Sequence, residues 1–285
     1  MKKYCVLFNS KTHNKKGLEN AKKVESKLQD AVFEYLDATK IGDLKAFIEA
    51  LPEDTELIFT GGDGTINYVI NALDGYELNR PLYYFPAGTG NDFLNDLHKG
   101  RDCAPFAINE YMQHLPVVTV NGRQWKFING VGFGLDGYCC EEKDRIVAAG
   151  KDKSYVMIAA EGLAYKYHTT HAKVTVDGET REYDRVWMAP TMFGSYYGGG
   201  VLIAPTQDRS NPEHTLTSLV LHGCSRLRGA TIFLAVCKGK GGKYPKYIDI
   251  RSGRHTEVEF DRPVALQIDG ETVVGVTRYA VDAGT

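Results

Sequence analysis

Residues 56–67 read ELIFTGGDGTIN: a short apolar run, three glycines around one carboxylate, and the start of a helical pattern in Ile66, Val69, Ile70 and Leu73. A strand-length apolar run that ends in glycines and leads into helical periodicity describes a strand–turn–helix unit. The unit recurs. YCVLF (4–8) precedes Leu18, Ala21, Val24 and Leu28, and VFEYLDA (32–38) precedes Leu44, Phe47, Ile48 and Leu51. PLYYFPAG (81–88) leads into TGNDFLNDL (89–97). Strands separated by helices of this length imply right-handed crossovers and a mostly parallel sheet, so the first half is α/β.

In such a sheet, ligands bind beyond the carboxyl ends of the strands, where the next helix presents unpaired N–H groups. The glycines of TGGDGT permit close backbone approach to a polyphosphate, and Thr65 is placed to cap the helix. Asp63 is the odd element, since a bare carboxylate repels phosphate. It fits if Mg²⁺ stands between them or if it accepts a proton from an attacking hydroxyl. An isolated Asp-Gly would be a plain surface turn. Here FPAGTGNDF (85–93) forms a second glycine turn one strand later, with Thr89, Asn91 and Asp92 expected to project from the same sheet edge. Neither G-x-x-x-x-G-K-[ST] nor G-x-G-x-x-G occurs, and a phosphate cradle carrying Asp rather than Lys implies metal-dependent phosphoryl transfer.

The texture changes near residue 115. LPVVTVNGRQWKFING (115–130) reads as a hairpin turning at Asn121-Gly122, and HAKVTVDGETREYDRVWMAP (171–190) as another turning at Asp177-Gly178. TEVEFDRPVALQIDGETVVG (256–275) extends the β pattern, interrupted by one long helix expected from about Glu141 to Tyr167. The second half is mainly antiparallel β. The domains expected are 1–120, α/β and nucleotide-binding, and 121–274, mainly antiparallel β, with 275–285 free to return to the first.

At 285 residues, with 43% hydrophobic and 25% charged content, the chain is neither disordered nor membrane-spanning in composition. No signal peptide precedes YCVLF, which predicts a cytoplasmic protein. The six cysteines show no C-x-x-C spacing, which argues against zinc and disulfides. A net charge of −2 gives nucleic acid no electrostatic support, and a membrane partner would need a local basic patch.

GGDGTIN (61–67) followed by PAGTGNDF (86–93) resembles the catalytic domain of the diacylglycerol kinase and sphingosine kinase superfamily, especially its bacterial lipid kinases. GGDGT alone is shared with NAD kinases; the second element points to lipid. NGVGFGLD (129–136), GGGVLIAPTQ (198–207), CKGKGGKYPKY (237–247) and QIDGETV (267–273) continue the likeness. The resemblance implies an α/β domain similar to NAD kinase, packed on a β-sandwich with ATP in the cleft between them. It places Asn9 and Thr39 at adenine and ribose, and the phosphates at Gly61, Gly62, Asp63, Gly64, Thr65, Ile66 and Asn67, with Thr89, Asn91 and Asp92 in the second turn. It makes Glu271 the proton acceptor, with Asp269 and Asp63 near the γ-phosphate and its Mg²⁺. On the residues alone, Asp269 and Glu271 are i and i+2 of extended chain and would share a face. VDGET (176–180) nearly duplicates IDGET (268–272), so the string by itself is weak.

Three departures stand out. The first loop, NSKTHNKKG (9–17), lacks the family's proline; Pro116 replaces an acid; and Glu213-His214 stand where an acid-glycine pair holds a structural Mg²⁺, for which Ser210, Glu213 and Thr215 are the candidate donors. The implied reaction is ATP- and Mg²⁺-dependent phosphorylation of a lipid alcohol, diacylglycerol first, at a peripheral membrane surface. Homodimerisation is left open. The alternatives are an NAD kinase-like enzyme and a nucleotide-binding regulator without turnover.

Overall fold

The computed structural model describes residues 1–11, 16–88 and 90–284. They form two compact units, 1–113 and 114–285.

In the first unit, β1 (Lys2–Phe8), α1 (Gly17–Ala21), β2 (Ala31–Asp37), α2 (Leu44–Ala50), β3 (Thr55–Gly61), α3 (Asp63–Ala72), β4 (Leu82–Pro86), α4 (Asp92–Asp96) and β5 (Phe106–Ala107) follow in order. The sheet order is β2-β1-β3-β4-β5, parallel except for β5. β1 lies between β2 and β3, so successive connections leave it in opposite directions and open a crevice at the carboxyl ends of β1 and β3. The helices are shorter than the periodicity suggests. α1 gives way to a 3₁₀ turn, Lys22–Lys27, which buries Ala21 and Val24 while Leu18 faces outward. α2 starts where the Asp43 carboxylate accepts N–H bonds from Lys45 and Ala46.

The second unit contains β6 (Val117–Val120), β7 (Arg123–Lys126), β8 (Gly130–Gly134), α5 (Leu135–Ala148), α6 (Tyr155–Glu161), β9 (Thr170–Val176), β10 (Glu179–Val186), β11 (Met188–Met192), β12 (Tyr196–Tyr197), β13 (Val201–Leu202), β14 (Leu216–Leu221), α7 (Arg226–Val236), β15 (Ile248–Gly253), β16 (His255–Ile268) and β17 (Glu271–Asp282). Its main sheet is antiparallel, in the order β15-β14-β11-β8-β16-β17-β6-β7, with β9 and β10 attached beside β16. β16 is bulged and serves two neighbours on one side, β9 near its start and β8 at its end. The sheet curls on itself. Tyr279 on β17 donates its hydroxyl to the Ala189 carbonyl on β11, three strands away at roughly 4.8 Å per step, a span no tyrosine crosses on a flat sheet.

Three expectations change here. The helix expected over 141–167 is two helices. Gly150 at φ +71° ends α5 with Lys151 N–H bonded to the Ile146 carbonyl and Gly150 N–H to that of Val147, and Ser154 caps α6 through Met157 N–H. The boundary falls before β6, at 113/114 rather than 120/121. The segment 275–285 does not return to the first unit, because β17 pairs with β16 and β6 as far as Asp282 and buries Val276, Tyr279 and Val281. Both expected hairpin turns form, with positive φ at Asn121-Gly122 and Asp177-Gly178.

Trp187, Met188, Leu219, Leu221 and Ile232 centre the packed core of the second unit, joined by the partly buried Tyr197. Beside it lies Asp136, in the first turn of α5, a half-buried residue whose two carboxylate oxygens are enclosed without a hydrogen-bond partner among the described residues. Burial pushes its carboxyl up to about 7. A folded pKa above the unfolded value of about 3.9 means that the native state holds a proton the unfolded chain has lost. This stabilisation is present at acid pH and is lost as pH rises through 7, up to roughly 4 kcal/mol in all. Asp136→Asn is therefore expected to flatten the profile and raise relative stability by roughly 4 kcal/mol at about pH 8 against roughly 1.5 kcal/mol at about pH 5. Urea titrations at both values check this, and an equal effect at the two would contradict it.

Candidate functional site

The two glycine turns of the first unit are one object. Gly88 approaches Gly62 so closely that a Cβ on Gly88 would lie 2.4 Å from the Gly62 Cα, and one on Gly61 would strike the Thr65 hydroxyl at 2.0 Å. The Gly61 carbonyl gathers the N–H groups of Ala87 and Gly88 and the buried Tyr84 hydroxyl. Asp63 closes the unit: Oδ2 accepts Asp92 N–H at 2.8 Å and Oδ1 accepts Phe93 N–H at 3.0 Å. The carboxylate expected beside the γ-phosphate is thus the N-terminal cap of α4. Gly62, at the N-cap of α3, supplies no capping side chain, so that helix opens with backbone N–H groups facing outward from the end of β3.

The other expected residues sort by geometry. Asn91 and Asp92 do not project from the sheet edge; both are buried. Asn91 sits at φ +53° with its amide donating to the Gly88 carbonyl and its Oδ1 near the Tyr84 hydroxyl. Ile66 is core, so only its backbone could reach a ligand. The Asn67 carbonyl accepts from the Asn71 amide, and Gly64 is exposed. Thr89 lies outside the described residues. Asn9, past β1, accepts Lys11 N–H. Thr39, past β2, is joined to the same crevice by Asp37, which the sequence reading passed over. The Asp37 Oδ1 accepts Ser10 N–H and both the N–H and hydroxyl of Thr39. Against the upward push of burial, these bonds hold the Asp37 carboxyl down at about 2. Its signal was a polar residue closing a strand, one position beyond the apolar run.

In the second unit, Asp269-Gly270 is a tight hairpin turn with φ +47° and +91°. The chain is not extended there, so Asp269 and Glu271 do not share a face. The Asp269 carboxylate accepts N–H bonds from Ile128, Asn129 and Gly130 at 2.7, 2.8 and 3.1 Å, which pins the start of β8. Arg209 braces the same loop through the Ile128 carbonyl and the Asn129 side chain. Asp177 repeats the device, accepting N–H from Arg254 and His255. The two turns differ in their glutamates. Glu179 is held by Arg181, whereas Glu271 is exposed and has no hydrogen-bond or ion-pair partner among the described residues. Its charge is felt by Cys140 on α5 and Tyr155 on α6.

Two backbone carbonyls at the residues expected to hold a structural Mg²⁺ already accept hydrogen bonds within the chain. The Glu213 carbonyl accepts the Arg254 guanidinium, itself a cation, and the Thr215 carbonyl accepts the Gln207 amide. Ser210 N–H bonds to Asp208. Among the described residues no three acidic, histidine or cysteine side chains are grouped to bind a metal. All six cysteines are free, and burial raises the thiols of Cys5 and Cys140 to about 12, so neither is a thiolate nucleophile.

The chain is thus a two-unit protein, a parallel α/β sheet with an uncapped helix start at its switch point followed by an antiparallel β unit. Residues 3–119 match the diacylglycerol kinase catalytic domain, and residues 129–280 match the YegS C-terminal NAD kinase beta sandwich-like domain. The chain belongs to this lipid kinase family. It is similar to a protein of Staphylococcus epidermidis named "Putative lipid kinase", 27% identical over 239 residues that cover 78% of this chain and 72% of that one. It is also similar to "Putative lipid kinase YtlR" of Bacillus subtilis, 24% identical over 246 residues covering 78% and 75%. A crystal structure from Bacillus anthracis, titled as a putative diacylglycerol kinase, shares the fold with a TM-score of 0.68 and 22% identity over 99% of this chain and 92% of that one.

The contact between the glycine turns yields a direct test. Gly88→Ala sets a methyl against Gly62 backbone that cannot rotate away, and is expected to cost roughly 1–3 kcal/mol. Gly42→Ala, with open space around its Cβ, is the control. Denaturant midpoints compare them, and equal values would refute the close approach.

Proposed function

We propose that the protein is an ATP- and Mg²⁺-dependent kinase that phosphorylates the hydroxyl of diacylglycerol, giving phosphatidic acid. The observation that carries this reading is Glu271, a carboxylate without a partner among the described residues at a hairpin whose aspartate accepts three N–H groups, while its counterpart Glu179 is bound by Arg181. A general base needs an open lone pair within reach of the proton it takes. Glu271 accepts the lipid hydroxyl proton as that oxygen attacks the γ-phosphorus. The bond to the β-phosphate oxygen breaks, and ADP leaves.

The remaining residues position the nucleotide. The start of α3 offers backbone N–H groups to the phosphates, and Asp63 and Asn91 hold the second turn against it as positioning residues. Asn9, which accepts Lys11 N–H, and Thr39, fixed through Asp37, would hold the adenosine at the crevice. Mg²⁺ is ordinarily held by one or two carboxylates together with substrate phosphates, and would neutralise charge as the phosphoryl group moves. Diacylglycerol is favoured over other lipid alcohols by the family that the first unit matches.

The test is incubation with labelled ATP, Mg²⁺ and a panel of diacylglycerol, ceramide, long-chain bases and polyprenols, with the product identified by mass. Phosphatidic acid is the expected product, and another phosphorylated lipid would replace diacylglycerol in this reading. Glu271→Gln is expected to keep ATP binding and lose roughly 10²- to 10⁴-fold in turnover. Undiminished turnover would remove Glu271 from the role of base.

A further inference from the structure

Half of the large apolar side chains exposed among the described residues lie on α6, the following turn and α7, including Val156, Met157, Tyr165, Leu227 and Leu234. These pieces adjoin, since Arg226 at the start of α7 bonds to the carbonyls of Gly162 and Leu163. α7 itself is two-faced. Gly229, Ile232 and Val236 are buried, while Leu227, Thr231 and Leu234, at i, i+4 and i+7, point outward with Leu227 83% and Leu234 61% exposed. An outward leucine stripe on a helix of a folded unit is apolar surface with no partner inside the unit.

The chemistry around that stripe is one-sided. Residues 225–247, SRLRGATIFLAVCKGKGGKYPKY, hold two arginines, four lysines and no carboxylate in a chain whose net charge is −2. By contrast Lys143 on α5, and Lys153 and Lys166 on either side of α6, are neutralised in place, the first by Asp152 and the other two by Glu161. The basic loop is built rather than slack. Lys240 N–H bonds to the Ala235 carbonyl, Tyr244 N–H to Gly241 and Tyr247 N–H to Tyr244, and Gly241 is packed against Val236 and Ile248. Lys238, Lys240, Lys243 and Lys246 are all exposed. Tyr247 lies between Arg228 and Lys246, its hydroxyl bonded to Arg228 and its ring beneath both cations. A groove of about 470 Å³ opens between α7 and this loop, with Leu227 and Arg228 in its wall.

We propose that the α7 face and the 237–247 loop form a docking surface for an anionic phospholipid bilayer, with Leu227 and Leu234 entering the interface and the lysines meeting lipid phosphates. The pairing of an apolar stripe with an unneutralised basic rim selects this occupant. An acidic protein would not require the leucines, and a second copy of this face would set like charges against each other.

The test is co-sedimentation of the whole protein, without nucleotide, with phosphatidylcholine vesicles that contain or lack phosphatidylglycerol. Binding is expected only with phosphatidylglycerol and is expected to weaken as salt rises. Lys243→Glu with Lys246→Glu is expected to lower it by at least roughly tenfold, and Leu227→Ser with Leu234→Ser severalfold. All four positions are exposed, and thermal unfolding confirms that the variants fold. Absence of binding at low salt, binding indifferent to either pair, or a Leu227-dependent dimer that ignores vesicles would each overturn the proposal. Neither ATP nor turnover enters the measurement, so its failure leaves the kinase reading standing, and the reverse also holds.

Discussion

Three aspartates next to glycines hold this molecule's turns, each by accepting backbone N–H groups from a segment far away in sequence. Asp63 takes those of Asp92 and Phe93, Asp177 those of Arg254 and His255, and Asp269 those of Ile128, Asn129 and Gly130. A carboxylate suits this task because it accepts several bonds at once, and bonds to a charged acceptor are stronger than neutral ones. Each segment so held is the start of a strand or helix, whose first N–H groups would otherwise lack partners. The glycine beside each aspartate frees the backbone to bring the carboxylate across. In the first unit the result is a pair of turns whose backbones touch, so that the start of α3 has one fixed setting.

The strands and hairpins were legible because their signals are local: apolar runs of strand length, alternation, and Asn-Gly or Asp-Gly at the turns. Contacts between distant segments left no such trace. Asp63 looks like a ligand in GGDGT, and only its bond to an N–H 29 residues away turns it into a cap. Asp269 reaches across 141 residues to Ile128. The burial of Asn91 depends on Tyr84 and Gly88 closing over it. The break at Gly150 was available, since a glycine followed by charged residues and a serine is a helix stop and restart. The run of apolar residues on either side of it concealed the stop.

Average charge concealed as much as it disclosed. A chain near neutrality gives nucleic acid no general attraction, yet this near-neutrality sums an all-basic stretch over 225–247 and an acidic remainder. The exposed lysines there are separated by one or two residues, often glycine, and their loop is fixed by backbone bonds. Fixed cations lose less freedom on meeting phosphate than those on a slack tail, so the shape of the loop contributes as well as its charge.

VDGET and IDGET show where chemical specificity enters. Both fold as the same turn, and both aspartates do the same structural work, so the shared letters encode a hairpin and nothing more. The glutamate that follows begins a strand, where the residue two positions on lies on the same face. After Glu179 that residue is Arg181, which binds the carboxylate. After Glu271 it is Val273, which cannot, and the next residue, Thr272, donates instead to Asp144 on α5. One residue choice at the third position after the glycine thus separates a satisfied surface ion pair from a carboxylate with open lone pairs. The openness of the Glu271 carboxylate among the described residues is therefore set by what the strand withholds from it, and the D-G-E string cannot record that.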